Sequence, residues 1–313
     1  MEARQTPRAA NWLYLLPILV FPLALLIAAF FVVPSRWFEL RSGSSYLASL
    51  GYGTRLHNRT CDILIYGDST AMIGIDPAIL EQRTGLSACN ISEYAGITLI
   101  NHMLPVDDFL AHNPRPRFIV FLYAPDSLNL PHSWSKRIST FEGISYLIER
   151  QPAGKAALLL ASHPLESIAW AEAGMRLAVT HFLSQPFPES TEHLRDATGG
   201  RFPIPESTRS ACDPATDYRD LPDPAFVSGL RARYGQGGTQ VLVDATPTAP
   251  CDPNLAFYKQ HLDSFIDNKP YSTIPLSAFS TDGRLHVNHE GIGILSDMVA
   301  GQIIALAKPT GGN

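Results

Sequence analysis

Ile63-Leu64-Ile65-Tyr66-Gly67-Asp68-Ser69-Thr70-Ala71-Met72-Ile73-Gly74-Ile75 is the stretch that decides the fold. An apolar run of strand type, Cys61–Tyr66, breaks at Gly67 into Asp68-Ser69-Thr70. Asp76-Pro77 then starts a helix, with the aspartate at the N-cap, the proline in the first turn and Gly85 beyond the end. Cys89–Ser92 reads as a second short strand. Ile97–His112 has helical spacing and stops before Asn113-Pro114. Arg117–Tyr123 is the clearest strand in the chain. Strand alternating with helix predicts a parallel sheet covered on both faces.

After Asp126 the alternation stops. Helical segments fall near Ile144–Arg150, Ala156–Ser162 and Leu165–Leu183, and a Pro/Ser/Thr/Gly-rich stretch runs from Ser184 to about Asp223. Residues 127–222 therefore read as an insertion into the sheet domain. The alternation resumes with a helix at Ala225–Tyr234, a strand at Thr239–Asp244, a helix at Asn254–Ile266 and a last strand near Leu276–Phe279. Glu290–Ala307 closes as an amphipathic helix.

The chain has 313 residues, a net charge of -5 and 17% charged residues. Nothing in this balance points to nucleic acid. Between Arg8 and Arg36 there is no charged residue, and about 20 apolar residues suffice to cross a bilayer as a helix. The expected organisation is a tail at 1–11, a transmembrane helix at 12–33, a polar stalk at 34–60 and the main domain at 61–313. A cleaved signal peptide competes with this reading, but its apolar core would be shorter and followed by a small-x-small site. The short tail favours a cytoplasmic N-terminus and an external domain, periplasmic or extracytoplasmic. Of the four cysteines, Cys61 and Cys89 open strands that would start side by side if parallel, which makes a Cys61–Cys89 bridge geometrically reasonable. Cys212–Cys251 would be the other pair, and four unbridged buried thiols remain the alternative. No Cys-x-x-Cys or His-x-x-x-His spacing calls for a metal, and no cofactor is expected.

In a parallel sheet, sites form at the carboxyl ends of the strands. Four loops at such ends carry Gly67-Asp68-Ser69-Thr70, Tyr94-Ala95-Gly96, Ala124-Pro125-Asp126 and Asp282…His286. A serine early in the chain, with an acid and a histidine late, is the minimum set for nucleophilic acyl chemistry. Ser69 would attack, His286 would take its proton, and Asp282 would hold the imidazole tautomer. Each signal alone has a plainer reading: Gly-Asp-Ser-Thr as a helix-capping turn, Asp282-Gly283 as an ordinary turn, His286 as a surface histidine. Asp68, Asp126 and Asn288 are candidates for lining the site. Asp126 reads equally as a helix cap, and Asp68 more readily as structural.

These segments resemble the SGNH (GDSL-like) hydrolase superfamily over roughly residues 60–126 and 239–307. Gly67-Asp68-Ser69-Thr70 is similar to its Gly-Asp-Ser motif, Asn90-Ile91-Ser92…Gly96 to its second motif, and His286-Val287-Asn288-His289-Glu290-Gly291 to its His-x-Asn-x-x-Gly. The resemblance implies a three-layer α/β/α, flavodoxin-like fold with a five-stranded parallel sheet. It also implies ester hydrolysis or acyl transfer without metal, with the backbone N–H groups of Ser69 and Gly96 facing the oxyanion. Two features depart from the family. Tyr123-Ala124-Pro125-Asp126 stands where Gly-x-Asn-Asp is usual, so one oxyanion donor is missing or comes from elsewhere, and Asp282 precedes His286 by four residues rather than three. Both departures recur in membrane-anchored relatives that modify envelope glycans, such as the D-alanyl transfer proteins of teichoic acids. The implied partners are an acylated envelope carbohydrate and a membrane O-acyltransferase that supplies the acyl group. The alternative is a catalytically silent module that binds glycan or scaffolds a membrane complex. A soluble lipase or thioesterase would require loss of the N-terminal segment.

Overall fold

The computed structural model describes residues 9–39, 41–42, 47, 49–93, 104–128, 141–150, 152–184, 195–214 and 222–307. In chain order the main elements are α1 (Ala9–Val32), β1 (Ile63–Gly67), α2 (Ser69–Gly74), α3 (Pro77–Thr84), β2 (Ala88–Asn90), α4 (Leu104–His112), β3 (Phe118–Tyr123), α5 (Phe141–Arg150), α6 (Ala153–Ser162), α7 (Pro164–Ser184), α8 (Pro224–Tyr234), β4 (Gln240–Ala245), α9 (Leu255–His261) and α10 (His289–Ala307). They fall into two compact units, 1–48 with 135–189 and 49–134 with 190–313. α5–α7 cluster with α1, while residues 195–214 of the expected insertion group with the sheet. The stalk is shorter than 34–60. From Ser49 onward the chain joins the sheet unit, where Leu50 and Tyr52 are buried and Tyr52 donates to Asp196 at 3.1 Å.

The sheet unit is α/β, with four parallel strands in the order β2-β1-β3-β4. Alternate residues of each strand feed the two sides. Ile63, Ile65, Val120, Leu122 and Leu242 pack with Leu295, Val299 and Ile303 of α10. Leu64, Tyr66, Ile119, Phe121 and Val243 pack with Phe109 of α4, Leu230 of α8 and Tyr258 of α9. This two-sided burial is why β1 and β3 read as continuous apolar runs rather than alternating ones. α10 is long and apolar enough by length and composition to cross a membrane, but its apolar side chains Ile292, Leu295, Val299 and Ile303 are buried over the sheet.

The expected fifth strand at Leu276–Phe279 does not form. Leu276–Ala278 is a 3-10 turn, and Phe279 makes a single antiparallel bridge to Val287. Beyond β4 the chain makes one parallel bridge, Thr248 to Thr273. Pro270 and Pro275 flank that stretch, and proline cannot donate to a ladder. The outer edges of the sheet are covered instead. The Asn90 N–H of β2 donates to Gly199 O at 3.0 Å, and Asp267 and Val243 exchange backbone and side-chain bonds at β4. Both disulfides are present, Cys61–Cys89 with Cα atoms 5.7 Å apart and Cys212–Cys251 with 6.0 Å. Residues 94–103, including the first half of the helix expected at Ile97–His112, lie outside the described residues.

Asp244, near the end of β4, is buried. Burial, reinforced by the Asp267 carboxylate, pushes its carboxyl from 3.8 up to about 7. The Gln302 amide of α10, oriented to satisfy both partners, donates to the carboxylate at 2.7 Å and accepts from the Asn268 N–H at 3.0 Å. Between those two values the folded chain holds a proton that the unfolded chain has lost, so stability falls as pH rises through the window. Asp244→Asn cannot ionise and is expected to flatten that decline, which measures roughly 2–4 kcal/mol. Urea midpoints taken at a mildly acidic and a mildly alkaline pH check this. A decline that persists unchanged in the variant assigns it to another group.

In the other unit, α5, α6 and α7 pack on one another, and α7 packs on α1. Trp170 Nε1 donates to Ser145 Oγ at 2.9 Å, joining α7 to α5. Ser167 Oγ donates to Leu160 O at 2.9 Å, joining α7 to α6. Gly174 lets α7 approach the end of α1, since a Cβ there would lie 2.5 Å from Val33 Cγ2.

Candidate active site

The site begins where β1 and β3 diverge, the position at which the strand order switches from leftward to rightward and a crevice opens. A Cβ on Gly67 would lie 1.7 Å from Leu122 O, so the last residue of β1 must be glycine for β3 to pair there. Asp68 follows as the N-cap of α2. Its Oδ1 accepts from the Thr70 N–H at 2.9 Å and from Thr70 Oγ1 at 2.6 Å, and its Oδ2 accepts from the Ala124 N–H at 2.9 Å. One buried carboxylate thus ties the end of β1 to the end of β3. Thr70 Oγ1 lies 2.7 Å from Thr246 Oγ1, just past β4. Since the single hydroxyl proton of Thr70 goes to Asp68, Thr246 is the donor in that contact. Asp68 therefore holds the turn.

This bracing presents Ser69, half-buried, as the first residue of α2. Its N–H has no backbone acceptor among the described residues. From below, Asn90 Nδ2 donates to Ala71 O at 2.8 Å and Ile75 O at 3.0 Å, clamping α2 to the end of β2. Across 217 residues of chain, His286 Nε2 lies 2.9 Å from Ser69 Oγ. Burial lowers the His286 pKa below its ordinary 6.5, with Asp282 and then Asp68 pulling the other way. The imidazole is therefore neutral at neutral pH and able to accept the serine proton.

The third member is loose. Asp282 Oδ2 stands 3.7 Å from His286 Nδ1, with the carboxylate side chain 54% exposed. That separation exceeds hydrogen-bond reach, and Nδ1 has no hydrogen-bond partner among the described residues. Between acid and base Gly283 takes φ +87°, and His286 packs against it so closely that a Cβ there would lie 2.7 Å from Nδ1.

The other two candidate lining residues make bracing contacts. Asp126 Oδ1 accepts from Arg284 Nη2 at 3.3 Å. Arg284 also donates to Asp252 at 2.9 Å and Tyr258 Oη at 3.2 Å, so this one arginine pins the His286 loop to the segments after β3 and β4. Asn288 is buried. It donates to Ser277 O at 2.7 Å, and its Oδ1 accepts from the Gly291 N–H at 3.3 Å, capping α10. Both residues were chosen for position in the chain, and that signal does not separate a lining side chain from a brace. Gly96, the expected second oxyanion donor, lies outside the described residues. No group of three or more His, Cys, Asp and Glu side chains suited to a metal occurs among the described residues.

Two braces were not read from the sequence. Arg284 sits inside the Asp282–His286 segment, and a cation two residues from the base was an available clue. Arg195 had none. It is fully buried, stacks on Tyr52 at 4.3 Å, and donates to Gly200 O at 2.7 Å, Ser92 O at 3.0 Å and Asn90 O at 3.3 Å. Two of its acceptors, the Asn90 and Ser92 carbonyls, lie about a hundred residues away in the chain, which no local pattern advertises. Comparison with protein-family models, curated proteins and solved structures gives no match for this chain.

Proposed function

We propose that this chain is an SGNH-type serine esterase or O-acyltransferase, held to the membrane by α1 and acting on acylated carbohydrate of the cell envelope. The observation that carries the reading is the 2.9 Å contact between Ser69 Oγ and His286 Nε2 at the carboxyl ends of the parallel strands. A hydroxyl is a weak nucleophile at neutral pH, and a neutral imidazole within hydrogen-bond distance removes its proton as it attacks an ester carbonyl. The Ser69 N–H, with no backbone acceptor among the described residues at the start of α2, points its dipole at the oxyanion that develops. Collapse of the tetrahedral intermediate leaves the acyl group on Ser69 Oγ, with His286 returning the proton to the departing alcohol. Water or a sugar hydroxyl then takes the acyl group by the same steps in reverse.

The anchor is supported by α1 itself. It is 24 residues long, free of charged side chains, and about 36 Å in length at 1.5 Å per residue, enough for a bilayer core. Ile18, Phe21, Leu23 and Phe31 are more than half exposed, as lipid-facing side chains would be. With the short tail in the cytoplasm, the catalytic unit lies outside it, where two disulfides are at home.

The second reading, a silent SGNH-like module, draws on the 3.7 Å gap between Asp282 and His286 and on Pro125 standing where an oxyanion-donating Asn is usual. A fluorophosphonate probe separates the two. The full chain is expected to label on Ser69, with Ser69→Ala unlabelled at equal folded yield. A folded chain that stays unlabelled supports the silent module.

A further inference from the structure

We propose that α6 and α7 are immersed in the lipid leaflet that surrounds the C-terminal half of α1, so that this unit meets the membrane through three helices rather than one. The inference rests on the reading of α1 as a span and extends it. Leu26 and Phe30 of α1 and Ala157, Leu160 and Ala161 of α6 enclose a groove of about 240 Å³ that is apolar along its whole lining. At the end of α1, Val33 packs on Gly174 of α7. α6 and α7 therefore stand beside the last turns of α1, at whatever depth those turns occupy.

Their outward faces fit that depth. Leu158 is 69% exposed, Leu165 79% and Val179 56%, with Ile168 and Met175 also exposed. Leu165, Ile168, Met175 and Val179 form one stripe of α7 at helical spacing. An exposed apolar surface of this kind marks a contact that water does not fill. Lipid is the occupant because the groove has the span as one wall: once α1 crosses the bilayer, acyl chains adjoin the groove at the highest local concentration of any apolar species. The residues of 153–184 that carry charge are Lys155, Glu166, Glu172 and Arg176. Glu172 falls within the stripe and Arg176 at its edge, 3.9 Å apart and exposed, and long side chains of this kind reach from the acyl boundary to the headgroups. That places α6 and α7 in the interfacial layer rather than across the membrane.

The test uses the full chain in phosphatidylcholine–phosphatidylglycerol vesicles. Single cysteines at Leu158, Leu165 and Met175 are labelled with a polarity-sensitive fluorophore, leaving the native disulfides oxidised. Phe21→Cys reports on the span, and Lys259→Cys reports on an exposed position of the sheet unit. Lipids with a nitroxide near the headgroup are expected to quench the three test positions several-fold more than position 259, with blue-shifted emission. If the test positions behave like 259 while position 21 is quenched by deep nitroxides, the proposal fails and the span stands. If position 21 is unquenched while the test positions are quenched, the surface stands and the span fails. If none is quenched, both fail. Test positions that are shielded from lipid and cross-link between two chains make the face a self-interface and overturn the proposal.

Discussion

His286→Ala is expected to lower kcat/KM for acetyl-ester turnover by about 10⁴-fold or more, the scale seen when the base of a serine nucleophile is removed. Without the imidazole, Ser69 Oγ has no proton acceptor among the described residues at comparable distance, because Asp68 is committed to Thr70 and Ala124. Asp282→Ala is expected to cost far less, about 10–10²-fold, against the roughly 10⁴-fold usual for an engaged triad acid. Its carboxylate is half exposed and 3.7 Å from Nδ1, so its pull on the imidazole is weakened by water. The pH profile of kcat/KM should show its acidic limb below pH 6.5, because burial lowers the His286 pKa from that value. The measurement compares native, Ser69→Ala, His286→Ala and Asp282→Ala chains with acetyl-ester donors, with and without sugar acceptors. Turnover in His286→Ala equal to the native chain would refute the base. A loss in Asp282→Ala as deep as in His286→Ala would mean that the carboxylate closes on Nδ1 when substrate binds, through the Gly283 turn.

Gly67→Ala is expected to destabilise the chain by about 4 kcal/mol or more, in the range reserved for severe backbone conflict. The added methyl would meet Leu122 O at 1.7 Å and its carbonyl carbon at 2.8 Å. These are backbone atoms of the neighbouring strand, so β1 and β3 must separate where they support Ser69. Gly85→Ala provides the comparison. Gly85 ends α3 at φ +70° with nothing within 4 Å of a Cβ, so its cost is conformational alone, about 1 kcal/mol. Chemical denaturation followed by far-UV circular dichroism reads both. A Gly67→Ala midpoint close to that of Gly85→Ala would show that the strands can yield.

Much of the sheet unit was legible because its signals are local. The start of α3 at Asp76-Pro77 and its end at Gly85 come from capping chemistry contained within ten residues. β3 was legible because burial on both faces demands an unbroken apolar run. The expected strand at Leu276–Phe279 failed for the complementary reason: Leu276 and Phe279 are apolar because they pack near the core, and apolarity alone does not distinguish a strand from a buried turn. The bracing contacts of Asp126 and Asn288 were not legible, because an Asp or Asn in such a loop looks the same in sequence whether it faces a substrate, an arginine or a backbone group. The grouping of α5–α7 with α1 was not legible, because these helices carry ordinary helical spacing, which does not say what they pack against.

The sequence by itself determined the order of strands and helices, the caps, the apolar length of α1 and the residue types able to run acyl chemistry, since each depends on neighbours a few positions apart. Tertiary structure alone decided that Ser69 and His286 meet, that Asp282 stands back from them, and that Asp68, Arg284 and Arg195 brace the site. Those outcomes depend on strand order and on close approaches such as Gly67 to Leu122, where segments distant in the chain share a few ångströms of space.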